Sequence, residues 1–228
     1  MRNSNKTFMI SAIVIFFCVI MAIIDGVLQA DYAIKSAIKL VMFLGFPALY
    51  TLSDQKLQIK NLFVVNRRGV GLAICLGFLI YLIILGGYLL LKNVFDFSSI
   101  TTSLTKNIGV NRNNFIFVSL YISFVNSLLE EIFFRGFAFL TLKRVSTRRF
   151  AYLFSAIAFA VYHVAMMIEW FSPGIFLIVL IGLFSGGLIF NYLNEKSNTI
   201  YPSWFVHMFA NFAINTVGFM LFDIISAG

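Results

Sequence analysis

Long apolar segments with almost no charge dominate this chain and restrict how it can fold. The first of them, 8–24, contains no Asp, Glu, Lys, Arg or His. Inside a bilayer the backbone must satisfy its own hydrogen bonds, so such segments cross it as α-helices of about 20 residues. Hydrophobic residues make up 61% of the chain and charged residues only 11%, unlike a soluble domain. The sequence therefore predicts an integral membrane protein.

Charged and turn-forming residues separate seven such segments, with edges at about 8–27, 38–52, 70–91, 114–142, 150–168, 175–193 and 198–222. We therefore expect the all-α class: a polytopic membrane helix bundle of about seven transmembrane helices, within a range of six to eight. Residues 1–228 form a single integral membrane domain in this prediction. Pro47 predicts a kink in the second helix, and Gly182 with Gly186 forms a GxxxG pattern that predicts close helix packing.

The first apolar segment has two interpretations. Arg2 and Lys6 precede it, and Leu28-Gln29-Ala30 loosely resembles a signal-peptide cleavage site. The segment is long for a signal peptide, and six more apolar segments follow it. We therefore expect a retained membrane anchor.

The net charge of +8 raises the question of a nucleic acid partner, but the basic residues lie mainly between the apolar segments rather than in one patch. Because cytoplasmic loops carry an excess of Lys and Arg, these residues are interpreted as topology signals. With the N-terminus inside, eleven basic residues fall on the cytoplasmic side: Arg2, Lys6, Lys56, Lys60, Arg67, Arg68, Lys143, Arg144, Arg148, Arg149 and Lys196. Five fall on the outer side: Lys35, Lys39, Lys92, Lys106 and Arg112. We expect a cytoplasmic N-terminus and no nucleic acid partner, with Arg135 as the one basic residue inside a span.

Ionisable side chains inside the predicted helices mark a candidate site. His163 and His207 are the only histidines, and both lie in apolar segments, as do Glu130, Glu131 and Arg135. A charged group at bilayer depth is costly and is by default a functional-site hypothesis. Glu131 and Arg135 are spaced i to i+4 on one helical face and should form an ion pair. Glu130 is rotated away from Arg135 and, without such a neighbour, is the better candidate for a general base.

The alternative interpretation is structural. A Glu-Arg pair can simply lock helices together, and a single buried histidine is more often a packing residue. The additional carboxylate of Glu130, the second histidine and Asn211, which follows His207 at i+4 on the same face, favour a functional cavity instead.

Three short motifs in these segments resemble those of a known family. Glu130 to Arg135 matches EExxxR, Phe159 to His163 matches FxxxH, and His207 to Asn211 matches HxxxN/D. These are the motifs of the CPBP family, the CAAX proteases and bacteriocin-processing enzymes also called the Abi family. One motif alone is weak, but three in order on three apolar segments form a specific combination. The resemblance covers about 114–222, which we expect to be the CPBP-like catalytic core.

The resemblance implies an intramembrane endopeptidase that hydrolyses a membrane-associated peptide or protein with a glutamate-activated water. By position, Glu130 resembles the general base and His163 its partner in holding the water. His207 and Asn211 resemble the groups that stabilise the oxyanion. The resemblance gives a supporting role to three further residues, Glu131, Arg135 and Phe159.

Metal dependence has two alternatives. Glu130, His163 and His207 provide three ligands for a catalytic zinc with an open fourth position. The chain lacks the HExxH helix, however, and Glu130 cannot easily serve as both ligand and base. We favour glutamate chemistry with no cofactor.

The physiological substrate is not selected by these motifs. The family includes enzymes that trim prenylated C-terminal motifs and bacterial members tied to bacteriocin maturation or self-immunity. The bias toward Phe, Asn, Ile and Lys suits a low-GC bacterium, so we expect a bacterial cell membrane. The expected partners are the lipid bilayer, a membrane-associated substrate, and a bacteriocin or its receptor. The competing hypotheses are a non-enzymatic transporter and a toxin-binding immunity protein, although the internal repeats typical of transporters are not found.

Overall fold

The computed structural model describes residues 3–53, 59–64, 69–167 and 170–226, and this part of the chain forms helices and no strand. Seven of these helices are long and apolar enough to cross a bilayer. The helices are α1 (Ser4–Leu28), α2 (Tyr32–Leu52), α3 (Val70–Leu91), α4 (Ser98–Ile108), α5 (Phe115–Val145), α6 (Arg148–Met167), α7 (Pro173–Ser197) and α8 (Tyr201–Leu221). A single helical turn, Ile59–Leu62, lies between α2 and α3. The predicted all-α membrane bundle is confirmed.

Within the described part of the chain, α4 is the one longer helix outside the seven spans, and it lies in the polar stretch that separates α3 from α5. The backbone N–H and the hydroxyl of Ser98 donate to the Asp96 carboxylate at 2.8 and 3.0 Å, which satisfies a donor at the start of the helix. These hydrogen bonds favour the ionised form and lower the pKa of Asp96. Gly109 ends the helix with a φ of +68°, a conformation that glycine adopts without strain.

α2 begins at Tyr32 rather than near Ile38, so Lys35 and Lys39 lie inside the helix. The sequence analysis counted both lysines on the outer side of the membrane, but both are buried, with 8% and 9% of their surface exposed. Each lysine contacts a carboxylate outside α2, at 2.7 and 3.0 Å respectively, and this offsets the cost of burying a charge. The prediction that Arg135 is the only basic residue inside a span was therefore wrong.

The orientation of the bundle stays a prediction. Four of the basic residues that support a cytoplasmic N-terminus, Arg2, Lys56, Arg67 and Arg68, lie outside the described residues. Two of the five basic residues assigned to the outer side, Lys35 and Lys39, are paired with carboxylates inside the bundle and are therefore not loop charges.

π-helical segments interrupt the spans at four places in the described residues: Ile24–Leu28, Val41–Gly45, Ile122–Asn126 and Glu131–Phe139. A π turn bonds residues five apart and changes the direction of the following side chains relative to an α-helix. The π turn Val41–Gly45 ends two residues before Pro47, where the sequence analysis predicted a kink. The proline ring removes a backbone N–H donor at that position. The helix predicted at 114–142 is therefore not a regular α-helix, and its longest π segment contains most of the EExxxR motif.

α5 lies at the centre of the bundle. Its π segment Glu131–Phe139 contacts α1, α2, α6 and α7, and α8 packs against the preceding part of α5. Every residue of that π segment is buried. Phe133 stacks on Phe43 of α2 at 4.2 Å between ring centroids, and Phe134 packs edge-on against the same ring. These ring contacts hold the part of α5 that carries the EExxxR motif against α2.

Close packing of α7 occurs next to the predicted glycines rather than at them. A Cβ atom added to Gly182 or Gly186 would meet nothing within 4 Å, so the prediction from the GxxxG pattern was wrong. At Gly187 the added atom would lie 3.0 Å from the Cα and 3.1 Å from the Cβ of Ala156. The absence of a side chain at Gly187 therefore allows α7 to approach α6 closely.

Candidate active site

Three ionisable side chains from three helices converge inside the bundle. Glu130 of α5 is 1% exposed, and its Oε2 lies 3.6 Å from Nε2 of His163 and 3.6 Å from Nε2 of His207. His163 stands where the regular part of α6 ends, and His207 lies about two turns into α8. Both separations are longer than a direct hydrogen bond. The structure thus brings together three of the four side chains that the sequence assigned to catalysis.

Each imidazole is held through its other ring nitrogen. Nδ1 of His163 lies 2.7 Å from the carbonyl oxygen of Phe159, and since a carbonyl only accepts, Nδ1–H is the donor. Nδ1 of His207 lies 3.0 Å from Oε1 of Glu131, and this carboxyl oxygen likewise accepts. In both rings Nε2 is therefore the nitrogen left to face Glu130.

The predicted ion pair between Glu131 and Arg135 is present, and Glu131 also contacts His207. The two charged groups are 3.3 Å apart with no exposed side-chain surface. The guanidinium carbon of Arg135 lies 4.0 Å from the ring centroid of Phe159 and 4.7 Å from that of Phe190, distances typical of cation–π contacts. Phe190 of α7 also stacks on His207 at 5.3 Å and an interplanar angle of 26°. Sequence reasoning missed Phe190, since nothing in the sequence distinguishes it among 28 phenylalanines.

Glu130 has a cationic neighbour that the sequence analysis did not foresee. Nζ of Lys39 donates to Oε1 of Glu130 at 3.0 Å and to Oδ1 of Asn126 at 2.6 Å. The amide nitrogen of Asn126 donates to the same Oε1 at 2.9 Å. The prediction that Glu130 lacks a neighbouring cation was therefore wrong. Asn126 precedes Glu130 by four residues, a spacing that could have indicated the contact, whereas Lys39 comes from another helix.

Asn211 is anchored to the backbone of α5. It lies four residues after His207 and is 7% exposed, and its amide nitrogen donates to the carbonyl of Ile122 at 3.1 Å. Ile122 opens one of the π turns of α5, so this bond ties α8 to that turn. Among the contacts of the described residues, the Asn211 amide meets this carbonyl rather than Glu130 or either histidine.

The donor set does not fit a zinc ion. Across residues 3–53, 59–64, 69–167 and 170–226, no group of three His, Cys, Asp or Glu side chains is arranged to hold a metal. In addition, the ammonium group of Lys39 lies 3.0 Å from the Glu130 carboxylate and would repel a second cation there.

Residues 112–213 match the family model described as type II CAAX prenyl endopeptidase Rce1-like. The matched segment includes Glu130, His163, His207 and Asn211, and it leaves out Lys39 together with the rest of α1, α2 and α3. No curated protein and no solved structure matches the chain.

Proposed function

We propose that the chain is an intramembrane endopeptidase that hydrolyses a membrane-associated peptide or protein, because residues 112–213 match the family model described as type II CAAX prenyl endopeptidase Rce1-like. One observation carries the proposal: Oε2 of Glu130 faces Nε2 of His163 and Nε2 of His207 at 3.6 Å each. Peptide hydrolysis requires a base that activates water and donors aimed at the developing oxyanion. A buried carboxylate between two imidazoles supplies groups of both kinds.

In the proposed reaction, Oε2 of Glu130 takes one proton from a water molecule as the water oxygen attacks the scissile carbonyl carbon. His163 holds the same water by a hydrogen bond. Its Nδ1–H donates to the carbonyl of Phe159, so Nε2 of a neutral His163 accepts a hydrogen bond from the second O–H of the water. The tetrahedral intermediate then collapses with cleavage of the C–N bond. Glu130 returns its proton to the leaving amine, and the new carboxyl group is released.

His207 and Asn211 are proposed to stabilise the oxyanion. His207 donates to it from Nε2 when both ring nitrogens carry hydrogen, and Glu131 accepts the hydrogen bond from Nδ1. Asn211 uses one amide hydrogen for the Ile122 carbonyl and has a second hydrogen to give. Removal of one oxyanion donor typically costs a factor of about 10²–10³ in kcat.

The setting of the reaction is part of the proposal. We place the protein in a bacterial cell membrane with the N-terminus in the cytoplasm, and residues 114–222 as its catalytic core. The reaction runs on glutamate chemistry without a cofactor. Its physiological role is the processing of a bacteriocin or self-immunity against one.

The test compares wild type with Glu130→Gln, Glu130→Ala and His163→Ala after reconstitution into lipid vesicles. Asp96→Asn is the control, because it removes a carboxylate outside the spans. Candidate peptides, including one with a prenylated C-terminal motif, are incubated with each protein, and products are identified by mass spectrometry. We expect the wild type and Asp96→Asn to cleave, and the other variants to lose a factor of at least about 10² in rate.

Undiminished cleavage by Glu130→Gln would refute the mechanism. Activity that is lost with a chelator and regained with zinc would replace glutamate chemistry by zinc chemistry. A bacterial strain that keeps toxin immunity with the Glu130→Gln protein would favour the toxin-binding alternative, since binding does not require the base.

A further inference from the structure

The two oxygens of the Glu130 carboxylate have different surroundings. Oε1 accepts hydrogen bonds from Nζ of Lys39 at 3.0 Å and from the amide of Asn126 at 2.9 Å. Oε2 accepts no direct hydrogen bond within the described residues and faces the two imidazoles. An oxygen that already accepts from an ammonium group is a weaker proton acceptor than its free partner. The geometry thus separates a held oxygen from a reactive one.

Lys39 is itself held in place. Its Nζ donates to Oδ1 of Asn126 at 2.6 Å, so the lysine, the amide and the carboxylate form a closed triangle of hydrogen bonds. The ammonium group also lies 5.0 Å from the ring centroid of Tyr162 and 5.7 Å from that of Phe43. Aromatic faces at this distance stabilise a desolvated cation. These contacts therefore fix the position of the Lys39 amino group beside Glu130.

We propose that Lys39, together with Asn126, is a positioning residue of the active site: it holds Oε1 of Glu130 and thereby assigns water activation to Oε2. This inference rests on the proposed endopeptidase function. Lys39 belongs to α2, which lies outside the matched segment 112–213. The catalytic unit consequently includes the N-terminal part of the bundle, in addition to the segment that carries the three motifs.

Lys35 provides a matched control for Lys39. Both lysines lie on α2 one turn apart, both are buried, and each pairs with one carboxylate. Lys35 pairs with Asp25 at 2.7 Å, whereas Lys39 pairs with Glu130. Lys35→Met and Lys39→Met therefore remove the same kind of buried ion pair, but only the second variant changes the surroundings of Glu130.

The first measurement is kinetic and uses the full chain in vesicles at equal amounts of folded protein. A displaced catalytic group typically costs up to about 10²-fold in rate, so we expect Lys39→Met to lower kcat by about 10- to 100-fold. KM should stay within about 2-fold, because the proposed role of the lysine is to hold Glu130 and not to bind substrate. Lys35→Met should keep kcat within about 3-fold of wild type, and Glu130→Gln should lose no further activity when Lys39→Met is added. Equal losses of kcat in the two lysine variants would overturn the proposal.

The second measurement does not depend on cleavage. A hydrophobic carbodiimide reacts with protonated carboxyl groups in membranes: the O–H adds across a C=N bond, and the adduct rearranges to a stable N-acylurea. An ionised Glu130 held by Lys39 resists this reaction. We expect labelling of the Glu130 peptide to rise several-fold in Lys39→Met but to stay at the wild-type level in Lys35→Met, as measured by mass spectrometry.

The two measurements separate the two proposals. If the wild type cleaves and Lys39→Met matches it in kcat and in labelling, the positioning role is wrong and the endopeptidase function stands. If the wild type cleaves no peptide, the proposed function fails, and labelling alone decides whether Lys39 holds Glu130. Labelling that is equal in wild type and Lys39→Met overturns the inference in either case.

Discussion

Arg135 is the side chain whose removal should destabilise the bundle most clearly. It has no exposed surface, its guanidinium lies 3.3 Å from Glu131, and two aromatic rings flank it. Arg135→Met preserves much of the aliphatic volume but leaves the Glu131 carboxylate buried without its cation. Breaking a buried ion pair in this way typically costs about 3–5 kcal/mol. We expect the free energy of unfolding to fall by that amount.

Two further variants test whether the unpaired charge of Glu131 causes the loss of stability in Arg135→Met. Glu131→Gln combined with Arg135→Met removes both charges while the amide oxygen can still accept from His207, so the double variant should recover about 1–3 kcal/mol relative to Arg135→Met. Arg148→Met breaks the pair with Glu195, which is shorter at 2.7 Å, but the Arg148 side chain is 62% exposed. Because water screens that pair, its loss should lower the free energy of unfolding far less than the loss of Arg135 does. Burial, rather than distance, decides the difference.

The assay is equilibrium unfolding in mixed micelles with increasing denaturing detergent, followed by tryptophan fluorescence. A loss of about 3 kcal/mol corresponds to a change of more than 100-fold in the unfolding equilibrium constant, which the titration resolves. The reasoning is refuted if Arg148→Met lowers the free energy of unfolding as much as Arg135→Met does, or if the double variant is no more stable than Arg135→Met.

Three other predictions follow from the packing and the site. Gly187→Leu should lower the free energy of unfolding by about 1–3 kcal/mol because α7 would clash with Ala156, whereas Gly182→Leu on the same helix should change it by less than about 0.5 kcal/mol. Phe190→Leu removes the ring stacked on His207 and should lower kcat about 10-fold with unchanged KM; a rise in KM alone would contradict this role. Because the pKa of Asp96 is lowered, the ionised carboxylate stabilises the start of α4. This stabilisation is complete above the ordinary pKa of Asp and is lost as the pH falls through the lowered pKa. Amide hydrogen exchange at that helix start, corrected for the intrinsic pH dependence of exchange, should therefore become faster on acidification in wild type, and Asp96→Asn should abolish this pH dependence.

Features that lie within one helix were predictable from the sequence. The seven spans follow from apolar length, since a backbone in lipid has to form its hydrogen bonds locally. The Glu131–Arg135 pair follows from i, i+4 spacing and is present although the segment is π-helical. Both depend on residues close together in the chain.

Contacts between helices outside the three motifs were decided only by the tertiary structure. No register between α2 and α5 follows from the sequence, so Lys39 was counted on the outer side of the membrane although it meets Glu130 inside the bundle. Likewise, the glycine that permits close packing of α7 depends on which face α6 contacts, and Gly187 rather than the GxxxG pair has that position. The length of an apolar segment determines that it crosses the bilayer as a helix. Because lipid and protein interior are similarly apolar, this length does not determine which faces of two helices meet, and packing selects them.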